Sequence, residues 1–133
     1  MTAQTQTHVN SKPQVAVLHY HRISKLLDVR FTDGQHFSLS AELLRVFSPS
    51  AEVRGHGKPV LVSHKKAVAI TQIVPVGQYA VKLVFDDGHQ TGLYSWDYLA
   101  KLGAEQNALW ADYLDRLKQA NSNREIQLSI KQL

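Results

Sequence analysis

The stretch from Asp86 to Trp96, Asp-Asp-Gly-His-Gln-Thr-Gly-Leu-Tyr-Ser-Trp, constrains the fold of this chain more than any other. Asp-Gly is a strong short-range signal for a tight hairpin, because glycine takes the positive φ that such turns need. Ser95 is a good helix N-cap, since its hydroxyl can accept from an orphan amide of the first turn. Between these two residues the chain must reverse, run back as a short strand and enter a helix. An earlier stretch repeats that order: Phe31-Thr32-Asp33-Gly34, a strand from His36 to Leu39, then Ser40 as the cap of a helix with Glu42 in its first turn. Both read as strand–turn–strand–helix. This faint internal repeat favours a hairpin-rich α+β domain over a parallel α/β one.

The other elements follow from periodicity and breakers. Val15 to Tyr20 and Leu26 to Phe31 read as strands. Leu43, Leu44 and Phe47 form the apolar face of the first helix, which Pro49 stops. Ala67 to Val74 is β-branched and apolar, a strand that Pro75 and Gly77 break, and Tyr79 to Phe85 is another. After Ser95, Trp96, Leu99 and Leu102 mark a helix that Gly103 is expected to end. Ala104 to Ala120 is then an amphipathic helix with Leu109, Trp110, Tyr113, Leu114 and Leu117 on one stripe. The expected fold is α+β: a small antiparallel hairpin-rich sheet with a short helix after the first hairpin and two helices after the second. Residues 1–13 are expected to be a disordered lead-in, 14–120 a single globular domain, and 121–133 a tail or an edge strand.

With no cysteine among 133 residues, disulfides, thiolate metal sites and a cysteine nucleophile are excluded. No apolar run could span a bilayer as a helix, and residues 1–12 lack the apolar core of a signal peptide. A soluble, cytoplasmic protein is expected. The net charge of +4 is spread out, with Lys65-Lys66 as the one adjacent basic pair, so nucleic acid is not the expected partner. There is no Gly-x-Ser-x-Gly elbow and no His-Glu-x-x-His, and no nucleophile–base set can be assembled. Catalysis by this chain alone is not expected.

Two candidate sites remain. His89 directly follows the Asp86-Asp87-Gly88 turn and reads either as a metal ligand or proton carrier, or as a histidine that hydrogen-bonds the turn. Arg54-Gly55-His56-Gly57 lies in the longest aperiodic segment, Ser48 to Lys66, and segments of that length are often functional. Its glycines let backbone approach a ligand, and Arg54 can hold an anion. If His56 and His89 converge near Asp86 or Asp87, they form a site for Zn or Fe. His19 and His21 share one face of a strand, where a pair at i and i+2 can chelate a metal ion or simply line a polar sheet face.

The motifs Phe31-x-Asp33-Gly34, Leu44-Arg45, Ser48-Pro49-Ser50-Ala51-Glu52-Val53-Arg54-Gly55-His56-Gly57, Pro75-Val76-Gly77-x-Tyr79-Ala80 and Asp86-Asp87-Gly88-His89-x-Thr91-Gly92-x-Tyr94-Ser95-Trp96 occur in one order. In this the chain resembles the N-terminal domain family of gamma-butyrobetaine and trimethyllysine hydroxylases, which in bacteria also stands alone as a domain of unknown function. A related domain is appended to P-loop ATPases that carry iron–sulfur clusters. In the hydroxylases the resemblance implies a zinc module of three cysteines and one histidine. The histidine matches His89, and the cysteine positions fall at about Ser48, Ser50 and Val53, so this chain lacks those three ligands. These 133 residues are too few to hold the oxygenase domain as well, so hydroxylase activity is not expected to carry over.

The expected function is a non-catalytic binding or interaction module, accessory to iron–sulfur or redox protein maturation. Its expected partner is a protein, such as a P-loop ATPase cluster carrier or an oxygenase-type enzyme. The expected binding surface comprises Arg54, Gly55, His56, Gly57, Asp87, His89, Tyr94 and Trp96. The alternative is a metal-binding module in which His56 and His89 replace the cysteine-rich site.

Overall fold

The structure, a computed structural model, describes residues 12–54 and 60–127. Among the described residues nine elements follow in order: β1 Val15–His21, β2 Leu26–Phe31, β3 His36–Ser40, α1 Ala41–Val46, α2 Ala51–Arg54, β4 Ile70–Val76, β5 Ala80–Phe85, β6 Leu93–Ser95 and α3 Trp96–Gln119. The class is α+β, as the alternation of hairpins and helices dictates. The strands form two separate antiparallel sheets, β1-β2-β3 and β4-β5-β6, rather than one.

The internal repeat of the sequence extends to individual hydrogen bonds. In the first half Gly34 N donates to Phe31 O at 3.0 Å, Phe31 N to Gln35 O at 2.8 Å, and Gln35 N to the Asp33 carboxylate at 3.0 Å. In the second half Gly88 N donates to Phe85 O at 3.1 Å, Phe85 N to His89 O at 2.9 Å, and His89 N to the Asp87 carboxylate at 3.0 Å. Gly34 and Gly88 have φ of 95° and 93°, a region closed to most L-residues. The Ser40 and Ser95 hydroxyls accept from Leu43 N and Tyr98 N, capping α1 and α3 as expected. Each outer strand also has its irregularity at the same place, where β1 meets Phe31 and where β4 meets Phe85.

Alternation sets the inner faces. Leu27, Val29 and Leu39 of the first sheet and Val81, Leu83 and Phe85 of the second are buried, and they meet Leu44, Leu99 and Leu102 from the helices in one core. The expectation of two helices after the second hairpin is overturned, because α3 runs unbroken through Gly103. A Cβ on Gly103 would stand 2.3 Å from the Phe37 ring, so its missing side chain is the seat for that ring rather than a helix stop. Pro75, expected to break a strand, lies within β4, an edge strand where a missing amide costs no sheet bond. Of the α3 stripe, Tyr113 and Leu117 are buried while Leu114 is 40% exposed.

The segment from Asn121 to Glu125 folds back along residues 63–66. His64 N and Lys66 N donate to the Asn123 and Arg124 carbonyls, each at 3.0 Å. Arg124 then reaches the buried Glu42 through two hydrogen bonds of 2.8 Å, and the Tyr113 hydroxyl donates to the same carboxylate at 2.7 Å. Residues 1–11 of the expected 1–13 lead-in and residues 128–133 of the tail lie outside the described residues.

Candidate functional site

The β5–β6 turn delivers His89 inward, not to the surface. The backbone of His89 is fixed by the turn bonds just described, and its ring lies beside Phe85 with 7% of the residue exposed. Its Nε2 shares a hydrogen bond with Ser48 Oγ at 2.8 Å and lies 3.4 Å from Ser50 Oγ. Ser48 and Ser50 come from the turn between α1 and α2, and both are buried. Gly92 closes the other side, where a Cβ would stand 2.4 Å from Ser48 Oγ. The Thr91-Gly92 step is therefore a close approach that only glycine allows. A Ser–His pair at this distance is half of a nucleophile–base set. Here it is sealed in the core, with Ser48 at 2% exposure, so no substrate carbonyl reaches it.

Asp87 carries the electrostatics of the turn. Its Oδ2 is 2.7 Å from both Arg45 Nε and Lys65 Nζ, while its Oδ1 accepts from His89 N. Burial pushes the carboxyl pKa up. The hydrogen bonds from Lys65, the His89 amide and Arg45 outweigh it and hold the pKa at about 2. The contact ties α1 and the segment before β4 to the turn. Tyr94 is wholly buried and donates to the Leu44 carbonyl, and burial pushes its hydroxyl pKa far up.

The expected binding surface is thus divided. Gly55, His56 and Gly57 lie outside the described residues, as does the side chain of Arg54. Asp87 is committed to two cations, and His89 and Tyr94 are core residues rather than surface contacts. Trp96 is partly exposed at the start of α3. Its indole N–H donates to Gln78 O at 3.0 Å, and it borders a surface cleft of about 520 Å³ shared with Lys12, Pro13 and Tyr79. Reading the sequence missed Arg45 and Lys65 as the partners of Asp87. The one adjacent lysine pair and the Leu-Arg motif before the Ser48 turn were the available signals.

The metal implied by the resemblance does not fit these residues. Ser48, Ser50 and His89 do converge, and Val53 is buried at 6% exposure. Two neutral hydroxyls and a valine offer no thiolate, and the His89 nitrogen facing them already shares a hydrogen bond. Among the described residues no group of three or more histidines and carboxylates is set to hold a metal ion. Whether His56 joins His89 falls outside the described residues.

Two three-stranded antiparallel sheets, each followed by a Ser-capped helix and joined through one core, define a small α+β domain with a buried histidine at its second turn. The chain belongs to the gamma-butyrobetaine hydroxylase-like N-terminal family, whose model matches residues 18–100. Among the solved structures similar to it are three whose likeness covers most of this chain. Two are NMR solution structures, one 53% identical with a TM-score of 0.78 over 100% of this chain and 97% of the other, and one 45% identical with a TM-score of 0.78 over 92% and 98%. The third is a crystal structure from Acidithiobacillus ferrooxidans of a protein with unknown function in the DUF971 family. It is 39% identical, with a TM-score of 0.61 over 71% of this chain and 100% of the other. None of the curated proteins compared matches this chain.

Proposed function

We propose that this domain is a non-catalytic protein-binding module whose contact surface is the outer face of the sheet β4-β5-β6. The observation that carries this reading is the contrast between the two outer faces. Antiparallel sheets with one solvated face normally alternate apolar inside and polar outside. The sheet β1-β2-β3 largely obeys, presenting His19, Asp28, Arg30 and Ser38 outward, with Val17, paired with Arg30 and 48% exposed, as its apolar exception. The sheet β4-β5-β6 does not. Since Val81, Leu83 and Phe85 point inward, the outward set is Gln72, Val74 and Val76 of β4, Ala80, Lys82 and Val84 of β5, and Leu93 and Ser95 of β6, in which apolar residues outnumber polar ones. Val76 is 38% exposed, Leu93 52%, and Tyr79 at the adjoining turn 61%. An apolar patch of that kind marks an interaction site more often than a solvated surface.

Lys82 pairs with both Val74 and Leu93 across the strands, so the face has a cation in an apolar row. The matching partner is a protein with an apolar face and a carboxylate within it. The family resemblance directs the first choice of partner to P-loop ATPase cluster carriers and oxygenase-type enzymes, which makes a role in iron–sulfur or redox protein maturation the working assignment. The test is calorimetric titration of the purified domain with such an ATPase and with such an oxygenase. Binding that is lost in Val76→Glu and Leu93→Glu variants of unchanged melting temperature supports the reading. Binding unaffected by both substitutions, or no binding to either protein, refutes the surface or the partner respectively.

A further inference from the structure

The outer face of the sheet β1-β2-β3 gathers histidines around one carboxylate, on the other sheet from the β5–β6 turn that carries His89. His19 and His21 sit at i and i+2 on β1, and their ring centroids are 4.3 Å apart with the planes tilted by 35°. Asp28, on β2, is paired directly across from His19. One Asp28 oxygen accepts from His21 Nε2 at 2.8 Å. The other accepts from Ser38 Oγ at 2.6 Å and has His36 Nε2 3.9 Å away. The hydrogen bonds from Ser38 and His21 hold the carboxyl pKa down at about 2, so it is anionic throughout the neutral range.

We propose that His19, His21 and Asp28 form a binding site for a first-row transition-metal dication such as Zn(II). Two imidazoles and a carboxylate are a donor set that suits such ions, and imidazole selects them over Mg(II) and Ca(II). A tetrahedral zinc ion with bonds near 2.0–2.1 Å holds its ligand atoms about 3.3 Å apart. The His21–Asp28 contact of 2.8 Å is about 0.5 Å short of that spacing, so the two side chains part slightly to admit the ion. His21 Nε2 donates to Asp28, and as the side chains stand no three such groups among the described residues are set as ligands. Binding frees Nε2 of neutral His21 by shifting its proton to Nδ1, and requires His19, an exposed side chain, to turn toward the metal. The strands supply the rigidity: β1 is held along β2 by an unbroken register from Val17 to His21, and β2 along β3 from Leu26 to Arg30. Ser38 serves as the outer partner that orients the carboxylate, a role such hydrogen bonds commonly play around metal ligands.

The site tests cleanly because its residues are outside the core. Untagged full-length protein is titrated with Zn(II) by calorimetry and by NMR of the imidazole signals. The expected result is one equivalent of Zn(II) bound, with the His19 and His21 signals moving together while those of His64 and His89 stay in place. His19→Ala and His21→Ala each weaken binding by about tenfold or more, and Asp28→Asn weakens it too, while His64→Ala leaves it unchanged. Three outcomes overturn the proposal: no saturable binding in the micromolar range, binding that persists in the His19→Ala/His21→Ala double variant, or an Asp28→Asn variant with full affinity.

Discussion

At the scale of single residues, buried polar groups hold this fold in register. Glu42 is 5% exposed, and it is satisfied by Tyr113 and by the two-pronged contact from Arg124. Removing Arg124 leaves that carboxylate buried with one remaining donor. Breaking such a pair costs about 3–5 kcal/mol, and the 30% exposure of the Arg124 side chain puts the expected loss near the lower end. Arg124→Ala should therefore lower the urea midpoint markedly without changing the slope. His89→Ala removes one hydrogen bond of the buried Ser48 hydroxyl, which still accepts from Ser50 N, and should cost about 0.5–1.5 kcal/mol for that bond in the same measurement. Asp87 gives a pH signature. Its folded pKa of about 2 lies below the ordinary 3.8, so its stabilisation is complete above 3.8 and is lost as pH falls from there toward 2. Melting curves over that window should fall less steeply for Asp87→Asn than for the wild type. Equal slopes would show that the Arg45 and Lys65 contacts contribute nothing.

At the scale of elements, the capped helices and the turns were legible because their chemistry is local. Asp33-Gly34, Asp87-Gly88, Ser40 and Ser95 act within three or four residues of themselves, and β2 begins and ends where the alternation places it. Gly103 and Pro75 were misread because a distant partner decides their meaning. Gly103 continues the helix since Phe37 occupies the space of its missing side chain, and Pro75 is tolerated since β4 has a free edge. Gly103→Ala tests this. Helix propensity alone predicts a gain of about 1 kcal/mol. The overlap with Phe37 instead predicts a net loss of about 1–3 kcal/mol, as overpacking does elsewhere. Chemical denaturation gives the sign directly.

At the scale of the whole molecule, two copies of one supersecondary unit share a core and present unlike outer faces. The first unit is mostly polar outside and histidine-rich, with Val17 as an exposed exception; the second is mostly apolar outside, around Lys82 and Gln72. If the apolar face is solvated in the free domain, Val76→Glu and Leu93→Glu should change stability by no more than about 0.5 kcal/mol, as ordinary surface changes do. Val81→Glu, one residue from the same face but pointing inward at 2% exposure, should prevent folding. Circular dichroism melts of the three variants separate the two faces. The sequence by itself determined the α+β class, the repeated strand–turn–strand–helix unit and the family, because turn glycines, serine caps and alternation act over short distances along the chain. Only the tertiary structure decided that the sheets are separate, that His89 faces Ser48 and Ser50 in the core, that Arg124 returns to Glu42, and that His19 and His21 lie over Asp28. Each of these depends on which segments distant in sequence the core packs together, and no local signal records that.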